Sequence, residues 1–545
     1  MTDGAGALRL ASSEDEWARS DWEKAAAAVL RKSHRLADDA PDSEVWRRLA
    51  RTTYDDISIS PLGTPDLLDG LTTAARPTHA GGWDVRVRTS GDAATAVHDL
   101  ESGATSLWLV ADEVGTDLAA ALDGVRLDLA AVVLESATPE QAESLVALGP
   151  LHPDSNLGAT DDAEIVAFAR LGLRAGVRAV VVDGTTVHEQ GASDGQELGW
   201  VLARGAAVLR TLEEAGIPAQ QAFGLVELRL AATDEQFPTI SKLRAARRLW
   251  ARMAELCDVP DPRTRIHAVT SRPMTSAFDV HVNLLRTTVA AFAAGVGGAD
   301  ALTVVPFDEP TSEVSALARR MARNTSALLV AESHVAAVAD PAGGAYAVER
   351  LTDDLARVAW SELGAIETEG LDAFGRRVAD VRSRRETDVA TRRRPITGLS
   401  EYPRLADPVP GRRNLTYRWG AAFEALRREP PTAHVFLATL GTVAAHTARA
   451  GFATNLLGAG GIGVDVAGAT GGVDDLVAAY AGQGVVCLAG TDAAYAEWGR
   501  EAAEALRAQG ATRVVVAGKP AEWADDSCAL GVDAIDFLTR TREAL

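Results

Sequence analysis

From residue 83 onward, short apolar runs alternate with longer stretches whose apolar positions recur every three or four residues. Runs of strand character fall at 83–87, 106–110, 130–134, around 145–151, 179–183, 223–230, 265–269 and 301–307. The stretches between them read as helices, most clearly 197–215, 239–255 and 280–294. Strand followed by helix, repeated through about 250 residues, predicts a closed parallel (β/α)8 TIM barrel. A helix-rich stretch, 312–385, follows the eighth run.

The pattern resumes near the C-terminus. Runs at 435–440, 454–457, 485–488, 513–517 and 534–537, with helices between most of them, predict a small flavodoxin-like, doubly wound α/β domain. Ahead of the barrel, residues 17–36 read as a helix with Trp17, Trp22, Ala26 and Leu30 roughly on one face. Residues 45–53 read as a second helix, and 57–62 alternate. The organisation is therefore an N-terminal extension (1–80), a barrel (81–385), a linker (386–432) and an α/β domain (433–545). The extension, with little core of its own, is expected to pack on the barrel or on another chain.

Composition narrows the class. A chain of 545 residues, 47% hydrophobic and 24% charged, is that of a multidomain globular protein. The formal net charge of −22 argues against nucleic acid or an anionic membrane as the main partner. Cys257, Cys487 and Cys528 are too scattered for a disulfide framework or a metal knuckle, which suits a reducing compartment. No apolar run approaches the roughly 20 residues of a membrane span, and no signal sequence is visible, so the cytoplasm is expected. His98, His152 and His334 have no Cys, Asp or Glu at ligand spacing. Arginines 382, 384, 385, 392, 393 and 394 read as a solvated helix end and linker.

The strongest motifs lie between 180 and 360. They are HEQGASDGQELGWVLARGAAVLR (188–210), ISKLRAARRLWARM (240–253), NLLRTTVAAFAAGVGGADAL (283–302) with PFDE at 306–309, ARNTSALLVAES (322–333) and DPAGGAYAVERLTDDLARVAW (340–360). In this order the chain resembles the methylmalonyl-CoA mutase family of adenosylcobalamin-dependent acyl-CoA mutases. The resemblance implies a barrel that holds an acyl-CoA along its axis and a cobalamin domain over the C-terminal ends of its strands. Homolysis of the cobalt–carbon bond then begins a radical rearrangement, and the protein binds, orients and shields.

Residue by residue, the resemblance is incomplete. His188 matches the family's histidine ahead of its Gly-Ala motif, but Val187 stands where catalytic chains carry Tyr. His267 matches a strand histidine, but Val269 replaces the substrate-facing Gln. Phe278 and His281 replace a further Gln and an aromatic. In the last domain the family presents Asp-x-His-x-x-Gly, whose His ligates cobalt. Here only His446 is available, with Ala444 and Arg449 at the Asp and Gly positions. His446 is expected to be a lone surface histidine. The run 458–463 formally contains G-x-G-x-x-G but reads as a loop inherited from the cobalamin fold, with 464–468 continuing it. Asp308 and Glu309 are shared with the family and read as a cap on the following helix.

The resemblance with these departures implies a non-catalytic small subunit. His188 and His267 would be vestiges of a pocket filled by Leu, Val and Phe. Adenosylcobalamin would reside on a large-subunit partner in a heterodimer, and acyl-CoA would be met only through that partner. An active acyl-CoA mutase, or a mutase-protecting binding protein, are the alternatives; the latter has no P-loop here to support it.

Overall fold

The structure is a computed structural model that describes residues 18–71, 81–89, 92–115, 117–311, 313–411 and 417–545. Trp17 and Ser312, at the edges of two expected helical stretches, lie outside them.

The arm opens with α1 (Arg19–Lys32), whose Ala27 and Leu30 form a small core with Leu36 and Val45, on which Trp22 and Trp46 pack. The arm therefore does carry a core, although a small one. It continues as a hairpin, Arg51–Thr52 paired antiparallel with Ser58–Ile59. Ile57 and Ile59 join the barrel core.

Eight parallel strands close the barrel: β1 (Asp84–Thr89), β2 (Ser106–Val110), β3 (Ala131–Glu135), β4 (Asn156–Ala159), β5 (Arg178–Asp183), β6 (Val226–Ala232), β7 (Ile266–Thr270) and β8 (Ala301–Thr303), with β8 pairing β1. The fourth strand corrects the sequence reading. Residues 139–147 are a helix, entered through a reciprocal cap between Thr138 and Gln141 with Pro139 in its first turn. The true β4 is masked by Asn156, which bonds Val180 O and Gly158 N, and by Gly158 at φ +82, where a side chain would strike the carbonyl of Leu134. Residues 223–225 end a helix before β6 begins, and β8 stops at Thr303.

Around the barrel run α2 (Asp194–Glu214), α3 (Gln236–Leu256), α4 (Val282–Val296), α5 (Ala316–Ala327), α6 (Tyr346–Glu369) and α7 (Leu371–Ala390). Close packing is visible at Gly295 on α4, where an added methyl would enter the ring of buried Trp83. Gly295→Ala should cost about 1–3 kcal/mol. A thermal melt that leaves the midpoint unchanged would show that this contact can relax.

The last domain is a five-stranded parallel sheet: β9 (Val435–Thr439), β10 (Val464–Val466), β11 (Val485–Ala489), β12 (Arg513–Ala517) and β13 (Asp526–Cys528). Its order, β10-β9-β11-β12-β13, is flavodoxin-like. Two strands differ from the sequence reading. Residues 454–457 lie inside α9 (Val443–Ala459), after α8 (Ala421–Arg428), and the second strand follows the glycine run. It is an edge strand, largely exposed, so it lacks an apolar signature. Residues 534–537 open a helix capped by Asp533, and the fifth strand is 526–528.

The glycine run itself serves packing. Added methyls would meet Pro403 at Gly458, Leu538 at Gly460 and the ring of His434 at Gly463. The two domains share an apolar seam in which Phe278 joins Ile396, Leu399 and Phe423. Glu424 accepts the Ala277 N–H there at 2.9 Å.

Candidate functional site

Side chains on a barrel strand alternate between the axis and the helices. The axial positions here carry charge. Arg86 (β1) and Glu227 (β6) meet across the barrel at 2.6 Å, with both side chains fully buried. Arg265 pairs with Glu227 at 3.3 Å, Asp84 at 3.1 Å and Asp154 at 3.1 Å. Arg229 pairs with Asp183 at 2.8 Å and lies 4.0 Å over the Trp108 ring, which meets His267 edge-on at 5.3 Å. Trp108, Val269 and Val305 form a small apolar cluster beside this layer.

Burial alone would raise the Glu227 carboxyl, but Arg86, Arg265 and Arg229 hold it below the ordinary range. His267 is driven well below its usual value by burial, reinforced by Arg86, Arg229 and Arg265, and is neutral. Its tautomer follows from its partners. Arg229 Nε donates to His267 Nδ1 at 3.2 Å, so Nε2 carries the proton and donates to Thr303 Oγ1 at 2.8 Å. Thr303 in turn donates to the Arg86 carbonyl at 3.0 Å.

The axis is thus filled by a charged layer and not by the expected Leu, Val and Phe. The signal was present in the sequence: Arg86 and Arg88 alternate with valines, and Glu227 and Arg229 flank Leu228. Buried parallel strands are normally near-continuous apolar runs.

His188 ends the single-turn helix Thr185–His188 after β5, buried, with Nε2 2.7 Å from Ser271 Oγ. Burial, then Lys242 and Arg385, keep it neutral. Behind it Lys242 is fully buried, 2.8 Å from both Asp194 and Glu197. Burial raises the Glu197 carboxyl to about 7, while Lys242 overrides burial to keep Asp194 ionised. No bond or ring contact joins His188 to His267 among the described residues.

The departures from the family pattern have structural surroundings. Val187 packs with Ala192, Ile366, Phe374 and Val378. Phe278 lies 4.2 Å beneath the Arg427 guanidinium, and His281 stacks on Phe307 at 5.5 Å. The cap of α5 is Ser315 and not the expected Asp308 and Glu309; Asp308 accepts the N–H of Ser315 and so supports the cap from behind. Glu309 pairs with Arg272 at 2.9 Å.

In the last domain the chemistry would lie at the carboxyl ends of β9 and β11, where the strand order reverses. His446 is within α9 and is 6% exposed, so the surface reading is corrected. Its Nδ1 is buried without a hydrogen-bond partner among the described residues. Arg449 reaches across to the Gly490 carbonyl at 2.7 Å and to Asp492, with its guanidinium 4.9 Å over Tyr495. Tyr495 Oη accepts the Gly490 N–H at 3.0 Å.

The linker arginines are also more than a solvated surface. Arg385 is buried and donates to the Gly191 and Ala192 carbonyls; Arg394 pairs with Glu235, Arg392 with Glu401 and Arg384 with Asp56. Among the described residues no group of three or more His, Cys, Asp or Glu could hold a metal ion, and no helix is long and apolar enough to cross a membrane.

A parallel (β/α)8 barrel with these motifs, joined to a flavodoxin-like domain, has the architecture of the acyl-CoA mutases. A family model described as methylmalonyl-CoA mutase matches residues 163–414. The chain is 40% identical to a methylmalonyl-CoA mutase small subunit of Streptomyces virginiae, over 99% of this chain and 98% of the relative. It is 31% identical to that of Propionibacterium freudenreichii subsp. shermanii, over 99% and 96%. A methylmalonyl-CoA mutase large subunit of Streptomyces virginiae is 33% identical over 41% of this chain and 32% of its own length. The chain belongs to the methylmalonyl-CoA mutase family, on its small-subunit side.

Proposed function

We propose that this chain is the non-catalytic small subunit of a cytoplasmic heterodimer whose large subunit interconverts (R)-methylmalonyl-CoA and succinyl-CoA by a radical rearrangement. The observation that carries this reading is the buried axial layer of Arg86, Trp108, Glu227, Arg229 and His267. An acyl-CoA threading the axis would have to displace an ion pair with no solvent to receive it, which costs several kcal/mol per ion. Val187 and Val269 add to this, because an aliphatic side chain offers no hydrogen bond to a carboxylate or thioester.

Adenosylcobalamin supplies the radical to this chemistry when bound. The residues here do not fit it. Ala444 cannot orient a ligating imidazole, His446 lies buried in a helix, and Arg449 fills the position at which the corrin would need a glycine. The cofactor and the acyl-CoA site are accordingly assigned to the large subunit. This chain would contribute a folded scaffold and, through its N-terminal arm and barrel flank, an interface.

A visible-absorbance titration of the purified chain with adenosylcobalamin tests this. No spectral change is expected at concentrations that saturate a cobalamin-binding mutase, and mutase activity is expected only with the large subunit present. Stoichiometric binding with a histidine-ligated, base-off spectrum would overturn the assignment and make His446 the residue to replace.

A further inference from the structure

The arm meets the barrel in an uneven way. Helix α1 packs chiefly on the turn and short helix that follow it, around the small core of its own. Between this lobe and the mouth of the barrel lies a cavity of about 700 Å³. Trp22, Leu49 and Tyr54 line it from the arm, and His188, Arg385 and Trp419 from the other side. The tip of the arm hairpin crosses to the far wall, and three consecutive residues each engage a different group. Tyr54 Oη donates to Asp388 at 3.1 Å; Asp55 accepts from Ser193 Oγ at 2.5 Å and from Gly195 N at 3.1 Å; Asp56 pairs with Arg384 at 2.8 Å.

The receiving surface is shaped for this tip. Gly195 stands in the first turn of α2, and a methyl there would come within 2.5 Å of the Asp55 carboxylate. The Tyr54 ring is held between guanidinium groups, Arg385 at 4.6 Å and Arg394 at 5.2 Å. The same contact contains a conflict. The Asp55 carboxylate is seated beside Asp194, which is itself committed to Lys242.

We propose that the tip formed by Tyr54, Asp55 and Asp56 is a releasable latch that closes the arm over the cavity. The groups facing Asp55 are Ser193, Asp194 and Gly195 on α2 and its cap, and Lys242 on α3. Arg384, Arg385 and Asp388 on α7 and Arg394 on the linker surround its neighbours. Burial, then Asp194, raises the docked carboxyl to about 6 from its usual 3.8. A raised acid favours the docked state most below its undocked value, and that advantage is lost as pH rises through the docked value. The hairpin should therefore open more readily at neutral than at mildly acidic pH, admitting solvent to the cavity.

Hydrogen exchange on the full chain reads this directly, with rates corrected for the intrinsic pH dependence and the interior of α2 as internal control. Opening at the residue-195 amide, which the Asp55 carboxylate accepts across the contact, should be about tenfold greater at pH 7.5 than at pH 5.0, and its protection is the protection of the tip. In Asp55→Asn, which keeps an acceptor and loses the repulsion from Asp194, the difference should vanish with the tip still protected. Gly195→Ala should leave the tip open at both pH values. The proposal is overturned if the wild-type tip opens equally at both, if Asp55→Asn keeps the tenfold difference, or if the tip of Gly195→Ala is as protected as in the wild type.

Discussion

Replacing Glu227 by Gln should remove about 3–5 kcal/mol of stability, because Arg86 and Arg265 are then left with Asp84 as the one anion they share, and Arg86 loses its fully buried partner. The two side chains of the central pair are 0% exposed, so solvent cannot take up the uncovered charge. The loss should appear as a large drop in the denaturation midpoint. Size-matched apolar replacement of both partners, Arg86→Met with Glu227→Met, should recover most of it, since it removes the central pair's two charges together and leaves Arg265 paired with Asp84 and Asp154. A Glu227→Gln chain within about 1 kcal/mol of wild type would mean that the axis admits water, and the argument against a threaded acyl-CoA would fall with it. The pH dependence has a definite sign. The folded carboxyl sits below its unfolded value, so its contribution is present above the ordinary glutamate range and is lost as pH falls.

The second large effect is expected at Lys242. Lys242→Met leaves Asp194 and Glu197 facing one another behind His188 with no cation between them. A cost of about 3–5 kcal/mol is expected at pH 7.5. Here the sign is opposite to that at Glu227. Without the cation, the buried Glu197 and the half-buried Asp194 titrate above their unfolded values, so they favour the fold when protonated and oppose it as pH rises. Lowering the pH to 5 should therefore restore part of the loss in Lys242→Met, whereas it should restore none in Glu227→Gln. Identical pH profiles for the two variants would show that the electrostatic account of both sites is wrong. In the wild type Glu197 already titrates near 7, so a smaller loss of stability is expected between pH 5 and 8.

Much of the architecture was legible because its signals are local. Strands such as β2 and β5 are apolar between their end residues and are bounded by helices, and 106–110 is read from the sequence to the residue. The errors have a common physical cause. β4 and β10 are built from residues that do not look like strand, an Asn and a Gly in one and an exposed edge in the other. Residues 454–457 look like strand because α9 carries apolar residues on its exposed face as well as its buried one, Val443 being exposed and Leu456 and Leu457 buried, so the helical period is weak.

The site was legible only in part. Motif comparison located His188, His267 and His446, and the structure gives each a different role. His188 is seated on Ser271, His267 is one link in an axial proton-ordered chain, and His446 is buried within a helix. What the sequence could not convey was which charges would face one another. Arg86 and Glu227 are 141 residues apart, and only barrel closure brings them into contact. The linker arginines were misread for the same reason, since Arg385 finds its carbonyl partners almost 200 residues upstream.

The axial network also bears on how the chain meets copies of itself. Its five arginines, 86, 88, 178, 229 and 265, are matched by five carboxylates, Asp84, Glu135, Asp154, Asp183 and Glu227, and His267 is neutral. The barrel interior is therefore electroneutral, and the whole formal charge of −22 is carried by the rest of the molecule. Two identical chains approaching one another bring that charge twice and repel over roughly a Debye length. A less acidic companion meets a lower barrier, so the charge that the interior does not use disfavours self-pairing before any surface contact is made.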